Sequence, residues 1–129
     1  MADEYPSAEV VAADILVVQP TFVPPNRSFP IDGAQLDWTF KPHDFDFINI
    51  RYLYGAIGDL EKMYRQTFTH VRPGGWVESL EIDIKTHSEN PKVEKEENHI
   101  FKKWCKLFFE CGRKIGRTWE IARDGRQED

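Results

Sequence analysis

The sequence predicts an α/β fold built on a parallel sheet, and three observations carry that reading. Phe45–Tyr52 is a strand-like run, Phe-Asp-Phe-Ile-Asn-Ile-Arg-Tyr. An amphipathic helix follows, with Ile57, Leu60, Met63, Tyr64, Phe68 and Val71 at helical spacing and Glu61, Lys62, Arg65 and Gln66 largely on the other side. Pro73-Gly74-Gly75 then turns the chain into another strand over Trp76–Ile84. Strand, helix and strand in that order form the repeating unit of a parallel sheet.

The remaining elements follow along the chain. Glu9–Val18 is apolar around Asp14, and continuous apolarity suits a strand covered on both faces. Pro20, Pro24 and Pro25 enforce an extended loop, since each lacks an amide donor and restricts the residue before it. Arg27–Ile31 is a second short strand ending at the Asp32-Gly33 turn signal, and Asp37–Phe40 is a loop whose aromatics pack inward. Asp59 is placed to cap the helix, His70 and Arg72 suit the negative end of its dipole, and Pro73-Gly74 stops it. In the next strand Trp76, Glu78, Leu80 and Ile82 alternate with Val77, Ser79, Glu81 and Asp83. Lys85–Asn98 is polar, mostly loop, with a helical start near Pro91. A second amphipathic helix then carries Phe101, Trp104, Phe108, Cys111 and Ile115, backed by Leu107, and ends at Gly116. Arg123–Asp129 is a charged tail.

A length of 129 residues suits one domain. Hydrophobic content of 40% and charged content of 30% fit a globular chain, and a net charge of −5 argues against a general nucleic-acid surface. Cys105 and Cys111 match neither a zinc pair nor a disulfide framework, which favours a reducing compartment, cytoplasmic or nuclear. The start, Met-Ala-Asp-Glu-Tyr-Pro, has no apolar region of a secretory signal, and no apolar run reaches the roughly 18–20 residues that span a bilayer.

Several side chains are chemically suggestive. Asp14, inside an apolar strand, falls near the carboxyl edge of the sheet, where a carboxylate accepts hydrogen bonds from both ribose hydroxyls in nucleotide-binding α/β folds. A loop-facing aspartate at a strand end is the alternative. Asp32 and Gly33 either meet an adenine edge or simply make a turn. Arg51 and Tyr52 end the Phe45 strand, where open α/β sheets take ligands. Arg51 there suits a carboxylate through a planar bidentate pair, or a surface ion pair. Glu78 and Glu81 lie on opposite strand faces, which argues against a general acid–base pair. His43, His70, His87 and His99 share no metal-ligand spacing. Pro73-Gly74-Gly75 is followed by a strand and lacks a lysine, so it is a turn and not a phosphate loop.

The chain from Met1 to about Arg123 resembles part of a class I S-adenosylmethionine-dependent methyltransferase. The subgroup it resembles is fungal and includes regulators of secondary metabolism associated with velvet proteins. The marks are Met1–Val10, Gln19–Asn26, Trp38-Thr39-Phe40, Phe45–Ile57, Leu60–Gln66 and Val71–Glu78. The resemblance implies that Asp14 binds the ribose, that Asp32, Gly33 and Ala34 lie at the adenine, and that Arg51 and Tyr52 lie beside the methionine of S-adenosyl-L-methionine. The family carries a second acid immediately before the position of Ala34, where this chain has Gly33. Asp32 is therefore shifted by one residue, which turns its side chain to the other face.

By the same resemblance, residues 1–7 end the family's first helix, and the first strand with its glycine-rich loop precedes them. That strand is the centre of the family sheet, flanked by the strands ending at Asp14 and beginning at Phe45. The expected architecture is thus an incomplete Rossmann-like methyltransferase sheet with flanking helices, lacking its first and final strands. Residues 8–84 form the sheet core with one crossover helix and 99–116 the following helix. Such a chain reads as an internal fragment, inactive alone and marginally stable. The implied activity is methyl transfer to an unidentified acceptor. The alternatives are an inactive binding or regulatory module with a protein partner, or a nonfunctional gene fragment. No metal, membrane or direct nucleic-acid partner is expected.

Overall fold

A computed structural model describes residues 2–16, 22–30 and 33–120. The chain divides into two compact units, Met1–Thr39 and Phe40–Asp129.

In the first unit, β1 (Val10–Val11) pairs in parallel with β2 (Arg27–Ser28). The ladder is short: Val10 N donates to Asn26 O at 2.8 Å and Ala12 N to Ser28 O at 3.0 Å. Residues 1–7 are read above as the end of a helix, and the described part of them, 2–7, makes turns with no helix among them. They are held instead by Asn26, whose side-chain amide donates to the carbonyls of Ala2 and Tyr5 at 3.1 Å and of Ala8 at 2.9 Å. The Arg27 guanidinium lies 4.3 Å from the centre of the Phe29 ring, a cation–π contact beside the strand.

The second unit is the strand–helix–strand motif with two further helices: β3 (Phe45–Arg51), α1 (Leu60–His70), β4 (Val71–Leu80), α2 (Pro91–Lys95) and α3 (Ile100–Ile115). β3 and β4 pair in parallel, as the sequence predicts, with Ile48 opposite Val77 and Asn49 opposite Glu78. Asp59 caps α1 by accepting from Lys62 N at 2.8 Å. The helix ends before the proline. Val71 is already extended (φ −73°, ψ 137°), and β4 starts there. Pro73-Gly74-Gly75 therefore lies inside β4, where the register jumps from Phe45–Val71 to Phe47–Trp76. Gly74 takes a positive φ of 81°, and a Cβ on Gly75 would sit 2.8 Å from Asp46 O, so both glycines are required. Arg72 pairs with Asp46 across this bulge.

The strands of Val10, Phe45 and Val77 do not share one sheet among the described residues. Among the described residues there are two separate two-stranded parallel sheets, β1–β2 and β3–β4. The apolar pattern reports burial on both faces of a strand but does not name its neighbours, which accounts for the difference.

The helix faces also differ from the periodicity. α1 buries Met63, Thr67 and His70, while Phe68 is 80% exposed. Thr67 Oγ1 donates to Met63 O at 3.0 Å, and the His70 ring lies 2.7 Å from Gln66 O and 3.2 Å from Phe40 O. These polar groups are satisfied within the backbone and so tolerate the inner face. On α3 the buried positions are Cys105 and Gly112, and Phe101, Trp104 and Ile115 are exposed. Cys105 Sγ donates to Ile84 O at 2.9 Å, and Gly112 lies against Trp119, so these two contacts set the helix rotation. Gly116 closes α3 in the left-handed conformation (φ 67°), as its position predicts.

Candidate functional site

The carboxyl end of β3 runs into a constrained backbone segment. Arg51 is exposed, and its guanidinium has no hydrogen bond or ion pair among the described residues. Tyr52 follows with φ 56°, a left-handed conformation that costs a residue with a β-carbon on the order of 1–3 kcal/mol unless the surroundings hold it. They do hold it. Tyr52 N donates to Leu80 O at 3.0 Å, extending the β4 ladder. Leu53 N and Tyr54 N donate to Glu81 Oε1 at 3.0 Å and Oε2 at 3.2 Å. Gly55 N reaches Thr118 O at 2.6 Å, and Ala56 N closes a turn on Leu53 O at 3.0 Å.

Aromatic packing seals this loop. Trp119 packs between Tyr54, tilted at 51°, and Phe108, edge-to-face at 72°, with ring centroids 5.3 Å and 5.0 Å away. A Cβ on Gly55 would lie 2.4 Å from the Trp119 ring and one on Gly112 2.5 Å from it, so the indole sits where only glycines permit it. Asn49 and Glu78, neighbours in register, are joined by a 2.6 Å hydrogen bond from Asn49 Nδ2 to Glu78 Oε2.

The remaining predicted site residues fall in the first unit. Asp14 is exposed, and its Oδ1 accepts from Leu16 N at 2.9 Å, a local turn contact. Gly33 opens a turn closed by Leu36 N donating to Gly33 O at 2.8 Å, and Ala34 O accepts from Trp38 Nε1 at 3.0 Å. A Cβ on Gly33 would lie 3.7 Å from Ile15 Cγ2, so the segment after Asp14 and the Gly33-Ala34 turn are neighbours. Asp32 lies outside the described residues. Arg51 and Tyr52 adjoin one another in the second unit. The sequence reading missed Glu81 as a loop anchor, because its partners are backbone amides, which leave no mark on side-chain pattern.

A second polar cluster joins α2 to α3. Glu94 Oε2 accepts from Ser88 N at 2.9 Å, which lowers its pKa from the ordinary carboxylate value, with Lys102 and His87 adding to the effect. Glu97 is lowered in the same direction by hydrogen bonds from Lys106 and then Lys102. Among the described residues no group of three or more His, Cys, Asp or Glu side chains is arranged to hold a metal ion. No helix among them is long and apolar enough to cross a membrane.

A parallel strand–helix–strand unit with a constrained loop at the carboxyl end of its first strand defines the second unit as α/β. Comparison with known proteins narrows the class. The chain is 35% identical over 123 residues to methyltransferase pytC of Aspergillus terreus, covering 95% of this chain and 37% of that protein. It is 32% identical over 129 residues to the secondary metabolism regulator laeA of Aspergillus fumigatus, covering 98% and 33%. With the protein-methionine methyltransferase laeA of Emericella nidulans it shares 30% over 96 residues, covering 73% and 25%. The chain is thus homologous, over most of its own length, to fungal methyltransferases and secondary-metabolism regulators of this type. It spans about a third of the length of the curated relatives it matches. No family profile and no solved structure matches it.

Proposed function

We propose that this chain supplies part of the S-adenosyl-L-methionine site of a methyltransferase, serving methyl transfer to an acceptor that is unidentified. The observation that carries this reading is the homology over 95% of the chain to a protein named as a methyltransferase. Arg51, exposed and without a partner among the described residues, beside a left-handed Tyr52 supports it, since the carboxyl edge of a parallel sheet is where such folds take ligands. In this reading Arg51 grips the methionine carboxylate through a bidentate pair and Tyr52 lies beside it. Asp14 accepts the ribose hydroxyls, and Asp32, Gly33 and Ala34 border the adenine. Bound S-adenosylmethionine supplies the activated methyl group. The side chains named here bind and orient it, which is where most of the rate enhancement of such a transfer arises.

The names of several relatives, secondary metabolism regulators, favour a second reading: a regulatory module that binds a protein partner without turnover. Calorimetric titration of the 129-residue chain separates the two. Saturable S-adenosylmethionine binding, weakened tenfold or more by Asp14→Ala and by Arg51→Ala with unchanged circular dichroism, is the expected result. Absence of saturable binding at millimolar cofactor, with a partner protein captured at the same time, overturns the first reading in favour of the second.

A further inference from the structure

We propose that Glu81 is the positioning residue of the β3–α1 loop, setting the geometry in which Arg51 and Tyr52 meet the methionine end of the cofactor. The proposal rests on the reading of function above.

Five successive amides, from Tyr52 to Ala56, each have an acceptor. Three of those acceptors are backbone carbonyls: Leu80 O in β4, Thr118 O after α3, and Leu53 O within the loop. Only Leu53 N and Tyr54 N depend on a side chain, and it is the same one. Glu81 Oε1 lies 3.0 Å from Leu53 N and Oε2 lies 3.2 Å from Tyr54 N. One carboxylate bridging two consecutive amides makes charge-assisted bonds, roughly twice as strong as neutral ones. It also fixes the peptide planes that follow Tyr52. A left-handed non-glycine residue persists only where its surroundings over-determine it. Glu81 supplies that constraint from the residue directly after β4, so the loop is tied to the strand that pairs with β3.

The chemistry requires an anion with two acceptor oxygens. Glutamine at this position keeps one oxygen and turns an NH₂ donor toward an N–H donor, so one of the two bonds becomes a repulsion. Aspartate keeps both oxygens on a shorter arm. The loop also has a second anchor independent of Glu81, the Trp119 indole against Gly55 and Gly112. Loss of Glu81 therefore alters the backbone at 52–54 and leaves the loop attached to the body of the unit.

The test compares wild type with Glu81→Gln and Glu81→Asp in the full chain. Amide hydrogen exchange is read residue by residue, and S-adenosylmethionine affinity is read by calorimetry. In Glu81→Gln, exchange at Leu53 and Tyr54 is expected to rise tenfold or more while Met63 and Thr67 in α1 stay unchanged. Cofactor affinity is expected to fall at least tenfold, and Glu81→Asp to recover part of both. If Glu81→Gln exchanges faster throughout α1, the comparison is read in Glu81→Asp, where a selective rise at Leu53 and Tyr54 with weaker cofactor binding is the expected result. Unchanged exchange at Leu53 and Tyr54 overturns the proposal, as does faster exchange with unchanged cofactor affinity. A wild-type chain that binds no S-adenosylmethionine sinks the reading of function instead, and the exchange result then decides alone whether Glu81 sets the loop.

Discussion

Gly112→Ala sets helix propensity directly against packing. Gly112 lies within α3 and is buried. By intrinsic propensity alone, alanine in a helix is favoured over glycine by about 0.8–1.0 kcal/mol, so the substitution would stabilise. The surroundings say otherwise. The new Cβ would sit 2.5 Å from Trp119 Cδ1, 3.1 Å from Trp119 Nε1 and 2.7 Å from Arg117 O. The last of these is backbone, and Arg117 N is itself bonded to Gly112 O at 2.9 Å, so the chain there has little room to retreat. Trp119 is hemmed in by Tyr54 and Phe108. Overpacking of this kind costs about 1–3 kcal/mol, at least what propensity returns, and the expected net loss is up to about 2 kcal/mol. In a unit of this size that lowers the thermal midpoint by about 4–8 °C per kcal/mol, measured by circular dichroism. Repeating the substitution in a Trp119→Ala background removes the indole obstacle, and its cost is expected to shrink. A Gly112→Ala chain that melts at or above wild type would refute the packing argument.

Met63, 1% exposed, is the most deeply buried large side chain of α1, and Met63→Ala is expected to lose about 2–5 kcal/mol in urea denaturation. Asp59→Ala removes the acceptor of Lys62 N, and about 1 kcal/mol of stability should go with it, read as the denaturation midpoint. The depressed carboxyls of Glu94 and Glu97 contribute stability that is present above the ordinary carboxylate pKa. That contribution is lost as pH falls through their folded values. The thermal midpoint should therefore drop on acidification, and Glu97→Gln should flatten part of that acid limb.

The strand–helix–strand unit and the end of α3 were legible because their signals are local: a strand composition, a capped periodic helix and, for α3, a positive-φ glycine at Gly116 all lie within a few residues of what they specify. The helix rotations were not legible. Phe68 looks like core by hydropathy, yet Thr67 and His70 hold the inner face because each finds carbonyl partners, and hydropathy is blind to that. On α3, the glycine that admits Trp119 matters more than the phenylalanines around it. The joining of Val10 and Phe45 strands in one sheet rested on burial pattern, and β1 instead pairs with β2 over two residues. At the candidate site, Arg51 and Tyr52 were marked by their place at a strand end. Glu81 was not, because a carboxylate that bonds two amides 27 and 28 residues earlier leaves no periodic trace.

The parallel pairing of β3 with β4 has a kinetic consequence. Asn49 and Glu78 are 29 residues apart, so no rung of this ladder forms until a long segment has been closed. The length-dependent part of that closure costs about 3 kcal/mol in chain entropy. A hairpin would meet no such barrier. The segment to be closed contains α1, and a formed helix of 11 residues shortens the flexible path that remains. A formed α1, with Asp59 at its head, therefore lowers the closure cost that strand docking has to meet.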